Sequence, residues 1–183
     1  MDGWLIAFGI IILFALVVIG LFNSLSKQRV LVKEAGADIE TFLKQRYDMI
    51  PNLVEIVKGY AAHEQETFAK VTEMRTKAMG ATSFEEKAKF EDELSKGISK
   101  IFAVAESYPD LKANQNFLEL QTTLKALEDD IQKSRRFYNG TVRDFNAKIV
   151  VFPNNIIANA LKFTELPFFE ATEEEKQNVK VQF

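Results

Sequence analysis

Residues 114–153 read NQNFLELQTTLKALEDDIQKSRRFYNGTVRDFNAKIVVFP. Apolar side chains recur at Phe117, Leu120, Leu124, Leu127, Ile131, Tyr138, Val142, Phe145, Ile149 and Phe152, in steps of three and four with one step missed. That spacing returns to one face of a helix in every heptad, so it predicts a single long amphipathic helix with a buried seam. Pro153 has no N–H to continue the ladder and closes the pattern, leaving 154–161 as a short helix with the ring at its start.

The same period extends upstream. Ser107 to Ala113 holds the turn residues Pro109 and Asp110. Before it, Ser83-Phe84-Glu85-Glu86 forms a capping box that starts a helix through Phe84, Ala88, Leu94, Ile98, Ile101 and Ala105, after Gly80 ends the preceding one. An earlier stripe runs Val32, Ala35, Ile39, Leu43, Ile50, Leu53, Val57, Tyr60, Phe68, Val71, Ala78, with gaps at Arg46 and Glu64. It predicts one helix over residues 24–79. Pro51 sits inside without shifting the phase, which favours a kink over a break and frees a carbonyl acceptor near Tyr47. Only 8 glycines and 4 prolines occur in 183 residues, too few for the tight turns of an all-β fold.

Trp4 to Phe22 is a run of 19 residues without a charge, enough for roughly 28 Å of helix, about one hydrocarbon thickness. Asp2 is the only charge before it, which suits a retained anchor better than a cleaved signal peptide. Lys27, Arg29 and Lys33 follow the run and place the C-terminal part in the cytoplasm by the positive-inside bias. The fold class is therefore all-α: an N-terminal transmembrane helix followed by a long-helix antiparallel bundle. The expected divisions are an anchor over 1–23, a cytoplasmic bundle over 24–162 and a C-terminal tail over 163–183.

Composition narrows the chemistry. With no cysteine there is no disulfide, thiolate nucleophile or iron–sulfur site. A formal charge of -3, from 23 basic and 26 acidic residues, gives no footprint for nucleic acid. His63 is the sole histidine and has no second histidine four residues on, as a helical zinc site would need. There is no Gly-rich phosphate loop and no nucleophile elbow. No catalytic, cofactor-binding or metal residue is expected.

The polar interruptions of the stripes say more. Arg46, Glu64 and Arg135 fall on seams, where buried charge needs a partner, and are expected to form ion pairs that set helix register. Asp48 and Glu64 are the expected acids. The runs Glu91-Asp92-Glu93 and Glu128-Asp129-Asp130 read as solvated faces. Tyr138-Asn139 and Phe145-Asn146 repeat an aromatic–Asn pair one heptad apart, which puts both asparagines where they can bond a neighbouring helix. Phe163, Pro167, Phe168 and Phe169, then the alternating Val179, Val181 and Phe183, suggest an extended strip that docks on its own bundle or on another chain.

Several of these stretches resemble the LemA family of bacterial membrane-anchored proteins. Arg46-Tyr47-Asp48-Met49-Ile50-Pro51-Asn52-Leu53-Val54-Glu55, with Val57 to Ala61 and His63-Glu64, is similar to its first signature. Tyr108-Pro109-Asp110-Leu111-Lys112-Ala113-Asn114, then Arg135-Arg136-Phe137-Tyr138-Asn139, Phe145-Asn146 and Phe152-Pro153, are similar to the later ones. The resemblance implies a single-pass anchor in the bacterial inner membrane, a cytoplasmic helical bundle, and no agreed enzymatic activity. It points to membrane organisation or envelope quality control.

The reading is a non-enzymatic, membrane-anchored scaffold that binds membrane lipid and self-associates to organise membrane or partner proteins. The alternative is an adaptor or sensor for a membrane protease. Helix lengths over 24–79 and 84–105 differ by 34 residues, leaving an apolar stripe uncovered on a monomer; Val32, Ile39, Leu43, Val179, Val181 and Phe183 are the expected oligomer contacts.

Overall fold

The computed structural model describes residues 2–169, so Val179, Val181 and Phe183 lie outside the described residues. Six helices occur among the described residues: α1 Asp2–Lys58, α2 Gln65–Gly80, α3 Phe84–Ala105, α4 Pro109–Lys112, α5 Gln115–Val150 and α6 Asn154–Ala160. No strand occurs among the described residues. The long apolar helix is continuous with the first helix of the bundle, and its apolar window is wholly uncovered by the rest of the chain.

The helix expected over 24–79 is two helices, and the reversal is not at Pro51. α1 runs straight through the proline, as a phase-preserving stripe requires, and ends at Lys58. The chain then turns over Gly59 to Glu64, with the N–H groups of Tyr60 and Ala61 donating to Val57 O at 3.0 and 2.9 Å. Periodicity missed this break because Tyr60 keeps the phase although it lies 41% exposed outside the helix. The carbonyl freed by Pro51 is that of Tyr47, four residues back. Arg75 of α2 fills the vacancy, its Nε donating to Tyr47 O at 2.7 Å.

The described residues form two compact units, one of residues up to 37 with 136–168, the other of residues 38–135 with Phe169. In the second, the latter part of α1, α2, α3 and the first part of α5 make a four-helix core. Glu40–Lys87 and Tyr47–Glu91 pairs set α1 and α3 parallel. Asp92–Arg135, Ser95–Glu128 and Phe102–Phe117 set α5 opposite to both. Ser83 caps α3 as the capping box predicts, its Oγ accepting from Glu86 N at 3.2 Å. Asn114 Oδ1 accepts from Phe117 N at 3.0 Å and caps α5 in the same way. Residues 109–112, expected as a turn, close into the single helical turn of α4 behind Tyr108, with Pro109 at the position where its missing N–H costs nothing.

In the first unit, Leu25, Val32 and Ala35 of α1 and Tyr138, Val142, Phe145 and Ile149 of α5 are buried, with Ala158 of α6. The expectation of an uncovered stripe is therefore corrected: Val32, Ile39 and Leu43 are each under 5% exposed within one chain. The length mismatch that motivated it disappears because α1 ends at Lys58 and α2 folds back as a fourth helix. Phe152 also departs from its stripe. α5 stops at Val150, and Phe152, beyond the last helical turn, is 75% exposed.

α2 and α3 approach closely at Gly97, where an added Cβ would stand 2.7 Å from Val71 Cγ2. Val71 is fully buried and its branched side chain has no spare rotamer. Gly97→Ala is expected to cost up to about 2 kcal/mol, since overpacking of about 1–3 kcal/mol outweighs the roughly 1 kcal/mol gained in helix propensity. In denaturant unfolding, Val71→Ala combined with Gly97→Ala should be more stable than the sum of the single changes; strict additivity would refute the contact.

Candidate functional site

The polar residues that interrupt the stripes converge in the four-helix core. Arg46 is 1% exposed. Its guanidinium pairs with Glu91 of α3 and Glu128 of α5, and Nη1 donates to Ser95 Oγ at 3.0 Å. Ser95 Oγ in turn donates to Glu128 Oε2 at 3.2 Å, and Gln132 Nε2 donates to Glu128 Oε1 at 3.2 Å. The Tyr47 hydroxyl donates to Glu91. One arginine from α1 is thus clamped between a carboxylate from each of two other helices.

This corrects the expected partners. Glu64 is half-buried in the turn before α2, and Asp48 faces solvent on a pair with Lys44. The acidic runs are not simply solvated faces: Glu91 is fully buried, and Asp92 meets Arg135 at 3.9 Å. Each run straddles the helix, so its first carboxylate, Glu91 or Glu128, turns toward the core, with Asp92 partly buried beside Arg135 and the others at or near the surface. Three consecutive acids hide that member from any hydropathy pattern. The usable signal was the helical spacing itself, since Glu91 lies three residues from Ala88 and from Leu94 on the buried stripe.

Burial pulls the Arg46 guanidinium below its usual range, and the Glu128 charge opposes that pull. Burial pushes the Tyr47 phenol up to about 12, with the Arg46 charge working against it. The sign follows: a phenol whose folded pKa is raised contributes stability that is full below its ordinary value of about 10 and is lost as pH rises towards 12. Tyr47→Phe is expected to remove one phenol titrating near pH 12 from the ultraviolet difference spectrum and to flatten the alkaline loss of stability. Titration of the missing phenol near pH 10 would refute the burial of Tyr47.

The second arginine behaves differently. Arg135 is buried beneath Phe169, its guanidinium carbon 4.6 Å from the ring centroid, and Phe169 also packs on Phe84 at 5.5 Å. In the first unit the aromatic–Asn pairs hold an extended segment rather than a helix. Asn146 makes both hydrogen bonds of a backbone mimic: its Nδ2 donates to Leu166 O and its Oδ1 accepts from Leu166 N, each at 2.9 Å. Tyr138 donates to Pro167 O at 2.9 Å, and burial raises its phenol pKa. Asn139, on the same flank, is half-buried. The described part of the tail therefore docks on its own chain. Of the remaining motif residues, Pro51, Asn52, Pro109, Asp110 and Pro153 are solvent-facing or nearly so, and Tyr108 is half-buried as the cap of α4.

Chemically, the core cluster matches one buried cation to two carboxylates, each carboxylate also receiving a hydroxyl, while the buried Arg46 Nε has no hydrogen-bond partner among the described residues; such a pairing is suited to fixing helix register. A cavity of about 270 Å³ beside it is lined by Arg46, Ser95, Phe102, Leu124 and Glu128. No group of three or more metal-ligating side chains gathers among the described residues.

A long apolar helix carrying an α-helical bundle with an ion-paired core defines the class: a membrane-associated helical protein. Within that class the chain belongs to the LemA family, whose model matches residues 35–183. The match begins after the apolar run, so that run takes no part in it. The chain is similar to Protein LemA of Metamycoplasma hominis, 30% identical over 180 residues that cover 92% of this chain and 81% of that one. It is also similar to Magnetosome protein MamQ 2 of Paramagnetospirillum magneticum, 21% identical over 73% of this chain and 59% of that one. Magnetosome protein MamQ of Magnetospirillum gryphiswaldense is 19% identical over 73% of this chain and 58% of that one. The chain spans under two thirds of the magnetosome relatives it matches. None of these names states a catalysed reaction.

Proposed function

We propose that this protein is a non-enzymatic scaffold, anchored in the bacterial inner membrane by Trp4 to Phe22 with its C-terminal part in the cytoplasm, that self-associates to organise membrane or partner proteins. The observation that carries the reading is the unbroken α1, in which an uncovered apolar run passes directly into a bundle helix. Lipid is the natural cover for that run, because water makes an exposed apolar surface of this length an aggregation hazard. Lys27, Arg29 and Lys33 beyond it support the orientation.

Because Val32, Ile39 and Leu43 are covered within the chain, self-association falls to other surfaces of α1, namely the apolar run and the exposed Val30 and Leu31 just beyond it. Light scattering of the detergent-extracted full chain tests this, with a mass of several chains expected. A monomer at every detergent concentration would leave an anchored bundle and point instead to an adaptor for a membrane protease or other membrane protein. Protease added outside intact cells should leave the bundle whole; its removal would reverse the orientation.

A further inference from the structure

Phe163 is the hinge of this inference. Its ring packs against Phe22, the last residue of the apolar run, and against Phe145 of α5, each at 6.3 Å between centroids. Its N–H donates to Ala158 O at 2.9 Å, which ties α6 to the same place. The end of α5 and all of α6 therefore sit where α1 leaves its apolar stretch. α5 runs opposite to α1, so from Phe145 to its end at Val150 it advances about 7 Å further towards the apolar end, and Val151 and Phe152 follow in the turn.

The side chains there are of the wrong kind for water. Val150, Val151, Phe152, Ile156 and Leu161 are all at least half exposed, and Phe152 is the most exposed large apolar residue of the described chain. From Phe145 to Thr164 the only charges are Lys148 and Lys162, and on α1 no acid occurs from Gly3 to Lys33, whereas Lys27, Arg29 and Lys33 do. An apolar tip framed by cations and free of acids matches an acyl-chain boundary beneath anionic headgroups.

We propose that the turn joining α5 to α6 is a second membrane contact, which inserts Val151, Phe152 and Ile156 into the leaflet from which α1 emerges. The proposal rests on α1 crossing the bilayer. With two attachments the first unit is held in one orientation at the membrane surface, where a single helix would let it swivel.

The chain has no cysteine, so single introduced cysteines report single positions. Full-length Leu13→Cys, Phe152→Cys and Lys33→Cys, each carrying an environment-sensitive fluorophore, are reconstituted into phosphatidylcholine–phosphatidylglycerol vesicles with or without phosphatidylcholines brominated near the headgroup end or near the far end of their acyl chains, the first reporting on position 152 and the second on position 13. Residues 13, 152 and 33 are all solvent-facing within the chain, so the labels disturb no packing. Loss of emission at positions 13 and 152 but not 33 is expected. Quenching at 13 without quenching at 152 would overturn the second contact and leave the anchor standing. No quenching at either would overturn both readings. Equal quenching at 33 and 152 would mean adsorption without orientation, and protection of 152 from aqueous iodide without bromolipid quenching would mean that a protein covers the turn; either result overturns the proposal.

Discussion

Arg46→Ala is expected to destabilise the bundle by about 3–5 kcal/mol, because it leaves the fully buried Glu91 and its neighbour Glu128 facing each other without their cation. The cost is that of an uncompensated buried charge, and it is not a measure of what the intact cluster contributes. Arg46→Met combined with Glu91→Gln removes both fully buried charges, leaving the part-exposed Glu128, and should recover much of the loss. Asp48→Ala, two residues away on the exposed face, should stay within about 0.5 kcal/mol. Denaturant unfolding of the full chain in detergent, followed by circular dichroism, checks all three. Equal midpoints for the Arg46 and Asp48 variants would dissolve the cluster.

Phe169→Ala should be nearly as damaging, costing about 3 kcal/mol or more for a fully buried ring, with the Arg135 contact included. Phe168→Ala is the internal control: its ring is 44% exposed and its removal should cost under about 1 kcal/mol. A sharp difference between adjacent phenylalanines would establish that the described part of the tail belongs to the fold. Equal, small effects would return residue 169 to the tail proper. Phe169→Leu separates the two contributions, since it keeps most of the apolar burial and loses the ring beneath the guanidinium.

The long helices were legible from residue spacing. Phe117 to Ile149 repeats with one missed step, at Arg135, and α5 occupies almost the span that its stripe marks. The capping box at Ser83 places the start of α3 to the residue. Pro51 illustrates a local rule that holds through the tertiary structure: the carbonyl it frees is that of Tyr47, and a side chain from another helix takes it. The turn at Gly59 to Glu64 was not legible, because Val57, Tyr60, Phe68 and Val71 keep helical phase across it and a phase argument sees no interruption.

The sequence by itself determined that this chain is all-α, that its first residues are apolar enough to cross a membrane, and that charges stand on its seams. Each is a property of one residue and its neighbours within a few turns, so period and composition suffice. Only the tertiary structure decided which charges meet. Arg46 reaches acids 45 and 82 positions away rather than the nearby Asp48 and Glu64, since a seam residue faces across the bundle and its near neighbours in sequence face elsewhere. It likewise decided that the Val32–Leu43 stripe is covered from within, because burial depends on where distant helices return, and one hidden turn at Gly59 changes three helices into four.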